Sequence, residues 1–270
     1  MCLSRIGLAL VCVFFSLAGA RAETLRLVAA GSLNDAINIL IADYQKTMPG
    51  VSIETVWGPS GVLRDRLEKG EPFDLFASAA LPHAEALTNA GLSGPSVLFL
   101  RNKLCVLAPG ETAVTRDTLV ERLLNTETKL ATSTPTADPG GDYTWEFFHR
   151  IDRTRPGAFD MLAGKAQQLF GGATTTTPVV GRHRLELALD EKTVDLAVYY
   201  CSGVQKIVAG SAKYKKIDLP DELNVGAEYG LTVSRKAPPA ASDFAMYLLS
   251  PAAQTVFTKY GFIPVSAPGL

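Results

Sequence analysis

Short apolar stretches alternate with stretches of helical period along most of the chain. Residues 24–29 form an apolar run, and apolar side chains in 33–44 then recur every three or four residues. Residues 51–57 repeat the strand pattern, and 62–67 repeat the helical one. Strands that alternate with helices through short turns form parallel sheets. The sequence therefore predicts an α/β fold with helices on both faces of a sheet.

A second series of the same kind begins near Lys103. Strands are predicted at 104–108 and 195–200, and a helix is predicted at 145–151 after a loop rich in Gly and Pro. Residues 243–260 form a long amphipathic pattern, in which a Ser-Pro pair can start a new helix. The chain of 270 residues has room for two such units. We expect two lobes that share a cleft.

The N-terminus is typical of an export signal. Arg5 precedes an unbroken apolar run at 6–17, and an Ala-Arg-Ala sequence ends at Ala22. The run is too short to span a bilayer, and no later run reaches the roughly 20 apolar residues that spanning requires. We expect cleavage near Ala22 and a soluble mature protein outside the cytoplasm. Lipid attachment at Cys12 is an alternative, which Val11 disfavours because a small residue normally precedes such a cysteine.

Charge and cysteine content narrow the range of partners. The 26 basic and 27 acidic side chains give a formal net charge of −1, which argues against nonspecific binding to nucleic acid or to an acidic membrane. Cys105 and Cys201 remain after cleavage, in an oxidising compartment where thiols tend to pair. The sequence has neither a Cys-x-x-Cys nor a His-Glu-x-x-His motif. We therefore expect a small ligand, no structural metal and no cofactor.

Two serines are the residues that most clearly indicate a ligand-binding site. Ser32 and Ser60 each follow a predicted strand and open a predicted helix, and Ser32 is expected to cap its helix. Loops at the carboxyl ends of parallel strands line ligand crevices. A helix N-terminus in such a loop offers unpaired N–H groups and about half a positive charge. The two turns can thus form an oxyanion site, the alternative being that each serine is only a helix cap.

Several segments resemble the signatures of one protein family. They are AAGSL at 29–33, GPSGVL at 58–63, GEPFDLFASA at 70–79 and the C-terminal segment 248–262. Together they resemble the periplasmic molybdate-binding proteins of ABC importers. The resemblance covers nearly the whole mature chain.

This resemblance implies a two-lobed class II periplasmic-binding fold, in which each lobe is a mostly parallel sheet flanked by helices. The chain would cross between the lobes twice. After a signal peptide at 1–22, the first part of lobe I is expected at 23–102, lobe II at 103–235, and the C-terminal part of lobe I at 236–270.

The resemblance also implies a set of ligand-binding residues. Ser32 and Ser60 match the two serines whose hydroxyls and amides hold the oxyanion in that family, and Tyr200 matches its tyrosine donor. Gly140 takes the place of a backbone amide donor, in a shorter loop. Arg182 aligns with a position that is normally uncharged, so it either contacts an anion in the cleft or belongs to a solvated helix start. For Tyr200 the alternative is a core tyrosine bonded to the backbone.

A protein of this kind would close its lobes on molybdate or tungstate and hand the anion to an inner-membrane permease, acting as a monomer and breaking no bond. Sulfate, phosphate or a small carboxylate are alternative ligands, and Arg182 supports the last. A secreted serine hydrolase is a more remote alternative, since Ser60, His83 and Asp74 supply the residue types. The Gly-x-Ser-x-Gly elbow of such enzymes is absent, however.

The resemblance finally bears on the two cysteines. In the class II fold, the first strand after the inter-lobe crossing runs antiparallel beside the strand that carries the ligand tyrosine. Cys105 would then lie opposite Cys201, and a disulfide is expected in the exported protein. Two buried free thiols are the alternative.

Overall fold

The computed structural model describes residues 23–172 and 182–265. The predicted export signal lies outside the described residues. Within them, no helix is long and apolar enough to cross a bilayer.

The described residues contain strands and helices in alternation along most of the chain. The strands are β1 (Glu23–Ala30), β2 (Val51–Gly58), β3 (Leu75–Ser78), β4 (Val97–Asn102), β5 (Leu104–Pro109), β6 (Leu130–Ser133), β7 (Ala166–Phe170), β8 (Leu196–Tyr200), β9 (Tyr214–Asp218), β10 (Ala227–Val233) and β11 (Ile263–Pro264). The helices are α1 (Asn34–Thr47), α2 (Ser60–Glu68), α3 (Leu81–Asn89), α4 (Leu119–Leu124), α5 (Pro139–Asp152), α6 (Ala158–Lys165), α7 (Arg184–Asp190), α8 (Cys201–Gly210), α9 (Pro239–Leu249) and α10 (Pro251–Lys259). A 3₁₀ turn, Gly31–Leu33, precedes α1.

The described part of the chain forms two sheets. The first has the strand order β11-β4-β10-β3-β1-β2, with β1, β2 and β3 parallel and β10 antiparallel between β3 and β4. The second has the order β7-β6-β8-β5-β9, in which β6, β7 and β8 are parallel and β5 is antiparallel to both of its neighbours. Most strands of each sheet therefore share one direction. Each sheet with its helices forms one lobe, which confirms the predicted two-lobed α/β fold.

The chain passes between the lobes twice. Lys103 joins β4 to β5, and residues 219–226 join β9 to β10. Because β10 pairs with β3 and β4, residues 227–233 belong to lobe I, and the expected boundary of lobe II at 235 is wrong. The local pattern of this segment predicts a strand, but it contains nothing that specifies the neighbours of that strand.

Two asparagines tie the crossing segments together. The Asn102 side chain accepts a hydrogen bond from Lys103 N at 2.9 Å and donates one to Ser202 Oγ at 2.8 Å, so it joins the end of β4 to α8. Asn224, in the second crossing, accepts from Leu104 N at 3.3 Å and donates to Leu104 O at 3.1 Å. The side chain of Asn224 thus pairs with the backbone of β5 where that strand begins. The two crossings are held side by side.

Helices cover both faces of the lobe I sheet. The apolar positions predicted for α1 are buried, and the ring of Tyr44 lies 5.0 Å from that of Phe244 on α9. On the other face, Leu63 of α2 packs in a cluster with Phe76 of β3. The sheet is therefore enclosed, as its continuous apolar strands predict.

The polar loop predicted before residue 145 is the first part of α5. This helix begins at Pro139, six residues earlier than expected, after Asp138 in an extended conformation. Proline suits the first helical position because its missing N–H needs no partner there. The start of α10 is as predicted, with the Ser250 hydroxyl accepting from Ala253 N at 3.3 Å.

Cys105 and Cys201 form a disulfide between residues 96 positions apart, with their Cα atoms 4.8 Å apart. The expected register is wrong, however, because Cys105 pairs with Tyr199 and Cys201 is the first residue of α8. The bond therefore runs from β5 to the start of the helix that follows β8. Asp218 lies near both sulfurs, but sulfurs joined to each other are not thiolate ligands for a metal.

Candidate functional site

The two predicted serine turns lie side by side. In the parallel pair of β1 and β2, Ala30 is in register with Gly58, so both strands end at the same edge of the lobe I sheet. Ser32 follows β1 and Ser60 follows β2 at this edge. The opposite lobe faces the edge through the loop that precedes α5.

Ser32 is not the cap of α1. It lies in the 3₁₀ turn, and no side chain caps α1 at its N-terminus. Its hydroxyl instead lies 3.0 Å from the hydroxyl of Tyr229, a buried residue of β10. The Asn102 side chain also donates to this phenol, at 3.4 Å. Ser32 is thus positioned by a strand that is distant in sequence.

Ser60 is completely buried at the first position of α2. Its Oγ accepts a hydrogen bond from Ala79 N at 3.0 Å, which leaves its own O–H to donate. The next two N–H groups of the helix, those of Gly61 and Val62, donate to Ala137 O of lobe II at 3.0 and 3.3 Å. N–H groups at the start of this helix were expected to face an anion. They hold the lobes together instead.

The contact between α2 and lobe II depends on a glycine. A Cβ atom at Gly61 would lie 2.3 Å from Thr136 O and 2.8 Å from Ala137 O. Thr136 has a φ of 69°, and its N–H donates to Asp142 Oδ1 at 2.7 Å. The loop backbone is therefore fixed from its own lobe and approaches α2 closely enough to exclude any larger residue.

Tyr200 ends β8 and is 2% exposed. Its hydroxyl is buried and has no hydrogen-bond partner among the described residues. Burial raises the pKa of this phenol well above its usual value, so the group is a neutral donor. An unpaired buried hydroxyl costs about 1 to 3 kcal/mol, a cost that a ligand oxygen would remove.

Aromatic side chains surround this phenol. The Tyr200 ring lies 5.9 Å from that of Tyr229 and 6.5 Å from that of Tyr143. Tyr143, on α5, donates to Ala79 O of lobe I at 3.2 Å, and burial raises its pKa to about 12. Because Ala79 also bonds Ser60 and Tyr229 bonds Ser32, short contacts connect both serines to Tyr200.

Gly140 lies against the same phenol. A Cβ at this position would lie 3.3 Å from Cε2 of Tyr200 and 3.0 Å from Oδ2 of Asp138, both tighter than ordinary contacts. The absence of a side chain therefore brings the first turn of α5 directly to Tyr200. The structure thus brings together four of the five predicted ligand residues, Ser32, Ser60, Gly140 and Tyr200.

The partly buried carboxyl group of Asp138 adjoins these residues. Asp138 Oδ2 accepts a hydrogen bond from the Ser133 hydroxyl. Desolvation by the surrounding protein raises the pKa of Asp138 to about 6, although the hydrogen bond from Ser133 opposes the shift. The charge of Asp138 in turn raises the pKa of several phenols in this region, those of Tyr143, Tyr199, Tyr200 and Tyr229. Asp138 therefore interacts electrostatically with these phenols.

Arg182 is engaged elsewhere. Its guanidinium donates to Asp190 at 2.7 Å and to the Tyr214 hydroxyl at 3.0 Å, and the side chain is 41% exposed. The hydrogen bonds from Tyr214 and Arg182 lower the pKa of Asp190 to about 2. Next to it, His183 caps α7 by accepting from Leu185 N, and burial lowers the pKa of its ring to about 4. This geometry favours the helix-start interpretation of Arg182.

A cavity of about 950 Å³ opens beside Ser32. Arg182 and His183 lie on its lobe II side, together with Lys206 of α8. An ion pair between Lys206 and Asp35 of α1 crosses from one lobe to the other at this cavity. The cavity connects the Ser32 turn to solvent.

The residues of the hydrolase alternative do not form a triad. Asp74 precedes β3 and accepts from Arg26 N at 2.7 Å, whereas Ser60 follows the carboxyl end of the neighbouring strands. Nδ1 of His83 is buried without a hydrogen-bond partner among the described residues. The acid thus lies at the opposite edge of the sheet from the serine.

Asp138, Tyr143 and Tyr229 were missed in the sequence. Tyr143 follows a Pro-Gly-Gly segment that was expected to be a loop and is the start of α5. Asp138 precedes a proline that starts a helix. This pattern predicts the start of the helix but gives no sign of a role in binding. Tyr229 has no local signal beyond its strand pattern.

Comparison with known proteins shows the family. Residues 25–263 match the family model described as bacterial extracellular solute-binding protein. The chain belongs to this family. An uncharacterised protein of Pasteurella multocida is 34% identical over 212 residues, which cover 77% of this chain and 86% of that protein. The molybdate-binding protein ModA of Haemophilus influenzae is 24% identical over 269 residues, covering 96% of this chain and 98% of ModA.

Solved structures support the architecture. The sulfate-binding protein SubI of Mycobacterium tuberculosis superposes with a TM-score of 0.74 at 16% identity, covering 90% of this chain and 88% of SubI. At 16% identity, this similarity shows a shared fold. The family comprises the solute-binding proteins of transporters, and the weak homology to ModA is consistent with a divergent member of the molybdate-binding group.

Proposed function

We propose that the protein captures a tetrahedral oxyanion between its lobes and delivers it to the permease of an ABC importer. The observation that carries the proposal is the buried, unpartnered hydroxyl of Tyr200, which lies among the residues of both serine turns and the start of α5. A ligand oxygen is the partner that this hydroxyl lacks.

The donors in this cluster suit a desolvated anion. The hydroxyls of Ser32, Ser60 and Tyr200 are neutral, and the N-terminus of α5, a helix of 14 residues, adds the positive end of its dipole. Hydrogen bonds from these groups would replace the hydration shell of the anion as the lobes close, and no bond is broken.

Molybdate or tungstate is the ligand that we propose first. The serine turns match the signatures of molybdate-binding proteins, and a relative aligned over almost its whole length is named as one. The site residues need no cofactor. We further propose that the protein is exported to the periplasm, is cleaved near Ala22, and acts as a monomer.

Direct contacts would hold the closed form. Gly61 and Val62 bond to Ala137, and Tyr143 bonds to Ala79, so helices of both lobes contribute donors to the interface. Opening about the crossings near Lys103 and Asn224 would break these bonds and release the anion. The bonds are few enough for reversible closure.

A small organic anion is the second candidate. The cavity beside Ser32 has a volume of about 950 Å³, much more than a tetrahedral oxyanion fills and within the range for organic ligands. Lys206 and Arg182 lie on its wall, although both form ion pairs. Such a ligand would place its acidic group at the serines and its remainder in the cavity.

A thermal-shift panel tests these proposals. Molybdate, tungstate, sulfate, phosphate and small carboxylates would each be added to the mature protein at increasing concentration. A ligand that binds only the folded state adds about 2.7 kcal/mol to the free energy of unfolding at a hundredfold excess over its dissociation constant. Stabilisation by an oxyanion supports the first proposal, and stabilisation by carboxylates alone supports the second. No response to any anion would refute both.

A further inference from the structure

The Asp138 carboxyl group adds an acceptor to a cluster that otherwise presents donors. It is located where the lobes meet, since the adjacent Ala137 O accepts from Gly61 N and Val62 N of lobe I. Its Oδ2 would lie 3.0 Å from a Cβ at Gly140, which would also contact the Tyr200 ring. An ionised carboxylate only accepts hydrogen bonds, and so does a fully deprotonated oxyanion. Two such groups repel each other unless one proton lies between them.

We propose that Asp138 couples the capture of a fully deprotonated oxyanion to the uptake of one proton, whereas an oxyanion that carries its own hydrogen binds to the ionised carboxylate directly. This rests on the proposed function and refines its ligand class. In the first case a solvent proton binds to the Asp138 carboxylate, and the resulting O–H donates to the anion. In the second case the hydroxyl of the ligand donates to the carboxylate, and no proton is taken up.

The surroundings of Asp138 support this coupling. Among the described residues, Ser133 of β6 donates a hydrogen bond to the Asp138 carboxyl group. Asp142 and Tyr143 of α5, Tyr199 and Tyr200 of β8, and Tyr229 of β10 interact with it electrostatically. The serine and the phenols are neutral, and the charge of Asp142 disfavours ionisation of Asp138 further. The carboxyl group is therefore already close to protonation near neutral pH, with a pKa of about 6.

The sign of the pH dependence follows. An added dianion raises the pKa of Asp138 still further, so the complex holds more protons than the free protein and affinity rises as pH falls. If only the protonated form binds a dianion, its dissociation constant increases about tenfold per pH unit above pH 6. The dissociation constant of an anion that carries its own hydrogen should not increase in this way.

Isothermal titration calorimetry with molybdate, sulfate and inorganic phosphate tests the proposal. Molybdate and sulfate keep both negative charges between pH 6 and 8, whereas phosphate carries at least one hydrogen. Titrations at pH 8 in buffers of different ionisation enthalpy count the protons taken up. We expect about one proton per molybdate or sulfate bound and fewer per phosphate, and an affinity for the dianion that is about 50-fold higher at pH 6 than at pH 8.

Two variants sharpen the result. Asp138→Asn retains an oxygen for the Ser133 hydroxyl but no ionisable group, so sulfate binding should lose its proton uptake and its pH dependence. Asp195→Asn is the matched control, since this acid accepts from Lys129 N at the opposite end of β8. It should behave as wild type. If Asp138→Asn does not fold, the wild-type proton count still decides.

The experiment distinguishes a failure of the role of Asp138 from a failure of the proposed function. Binding of molybdate or sulfate by the wild-type protein without proton uptake, at an affinity independent of pH between 6 and 8, overturns the role of Asp138 and leaves oxyanion binding intact. Unchanged proton uptake in a folded Asp138→Asn variant does the same. Binding of no oxyanion at any pH overturns the proposed function and this inference together.

Discussion

Helices α2 and α5 both begin where the lobes meet, yet their first turns serve different purposes. At α2, the N–H groups of Gly61 and Val62 both donate hydrogen bonds to Ala137 O of the opposite lobe. At α5, Gly140 lies beside a partly buried carboxyl group and a phenol that has no hydrogen-bond partner among the described residues. The same local pattern, a small residue at a helix start, thus joins the lobes in one case and adjoins the proposed ligand site in the other.

The largest expected effect comes from breaking the α2 contact. In Gly61→Ala the new Cβ would lie 2.3 Å from Thr136 O, a backbone atom in a fixed loop. The lobes could not close fully, and we expect affinity for the ligand to fall by about 100-fold, near the upper end of overpacking costs. Calorimetry measures the affinity, and small-angle scattering with ligand reports whether the lobes close.

Gly31→Ala is the matched control for this variant. A Cβ at Gly31 meets nothing within 4 Å, although the residue lies in the turn next to Ser32. It should close and bind as wild type. Full closure and normal affinity in Gly61→Ala would show that the contact at α2 is dispensable.

The α5 side is tested by Tyr200→Phe. Loss of a donor to a charged acceptor costs about 1.5 to 3 kcal/mol, or roughly 10- to 100-fold in affinity. The stability of the ligand-free protein should not fall, because the removed hydroxyl has no partner there. Calorimetry and thermal unfolding measure the two quantities separately.

Tyr44→Phe is a control of the same chemistry. The Tyr44 hydroxyl is also buried without a hydrogen-bond partner in the part of the chain that the structure describes, but its ring packs against Phe244 on the outer face of lobe I. Affinity should be unchanged in this variant. Equal losses in the two variants would indicate a general effect of removing phenols, and a site at Tyr200 would be excluded.

We expect Ser32→Ala and Ser60→Ala to differ more in their effect on protein stability than in their effect on ligand affinity. Ser32→Ala and Ser60→Ala each remove one hydroxyl donor, and we expect each to weaken oxyanion binding about tenfold. Ser60→Ala also leaves the buried Ala79 N–H unpaired and should lower the free energy of unfolding by about 1 to 3 kcal/mol. In Ser32→Ala, Tyr229 keeps its bond from Asn102.

Calorimetry and denaturant unfolding of both serine variants provide the measurement. Unchanged affinity in both would remove the serine turns from the site. Equal stability losses would contradict the different hydrogen-bond roles that the structure gives the two hydroxyls.

The sequence predicted those parts of the site that depend on local pattern. Ser32 and Ser60 follow strands and precede helices, and parallel pairing alone brings them to one edge. The use of the α2 N–H groups and the role of Asp138 depend on contacts between lobes, which no local pattern encodes. The position of β10 between β3 and β4 is of the same kind, because a strand pattern does not name its neighbours.

Arg182 gives the smallest expected effect, and it tests whether lobe II contributes a cation to the site. Its guanidinium already bonds Asp190 and Tyr214, and the pair is exposed and screened by solvent. Arg182→Ala should therefore change the affinity for any oxyanion by no more than about twofold, with the same salt dependence as wild type. Arg182→Lys serves as the charge-retaining control. Calorimetry at low and high salt measures these affinities. If Arg182→Ala greatly lowers the affinity for every anion, if Arg182→Lys restores it and if salt reduces the difference, Arg182 contacts the anion in the cleft.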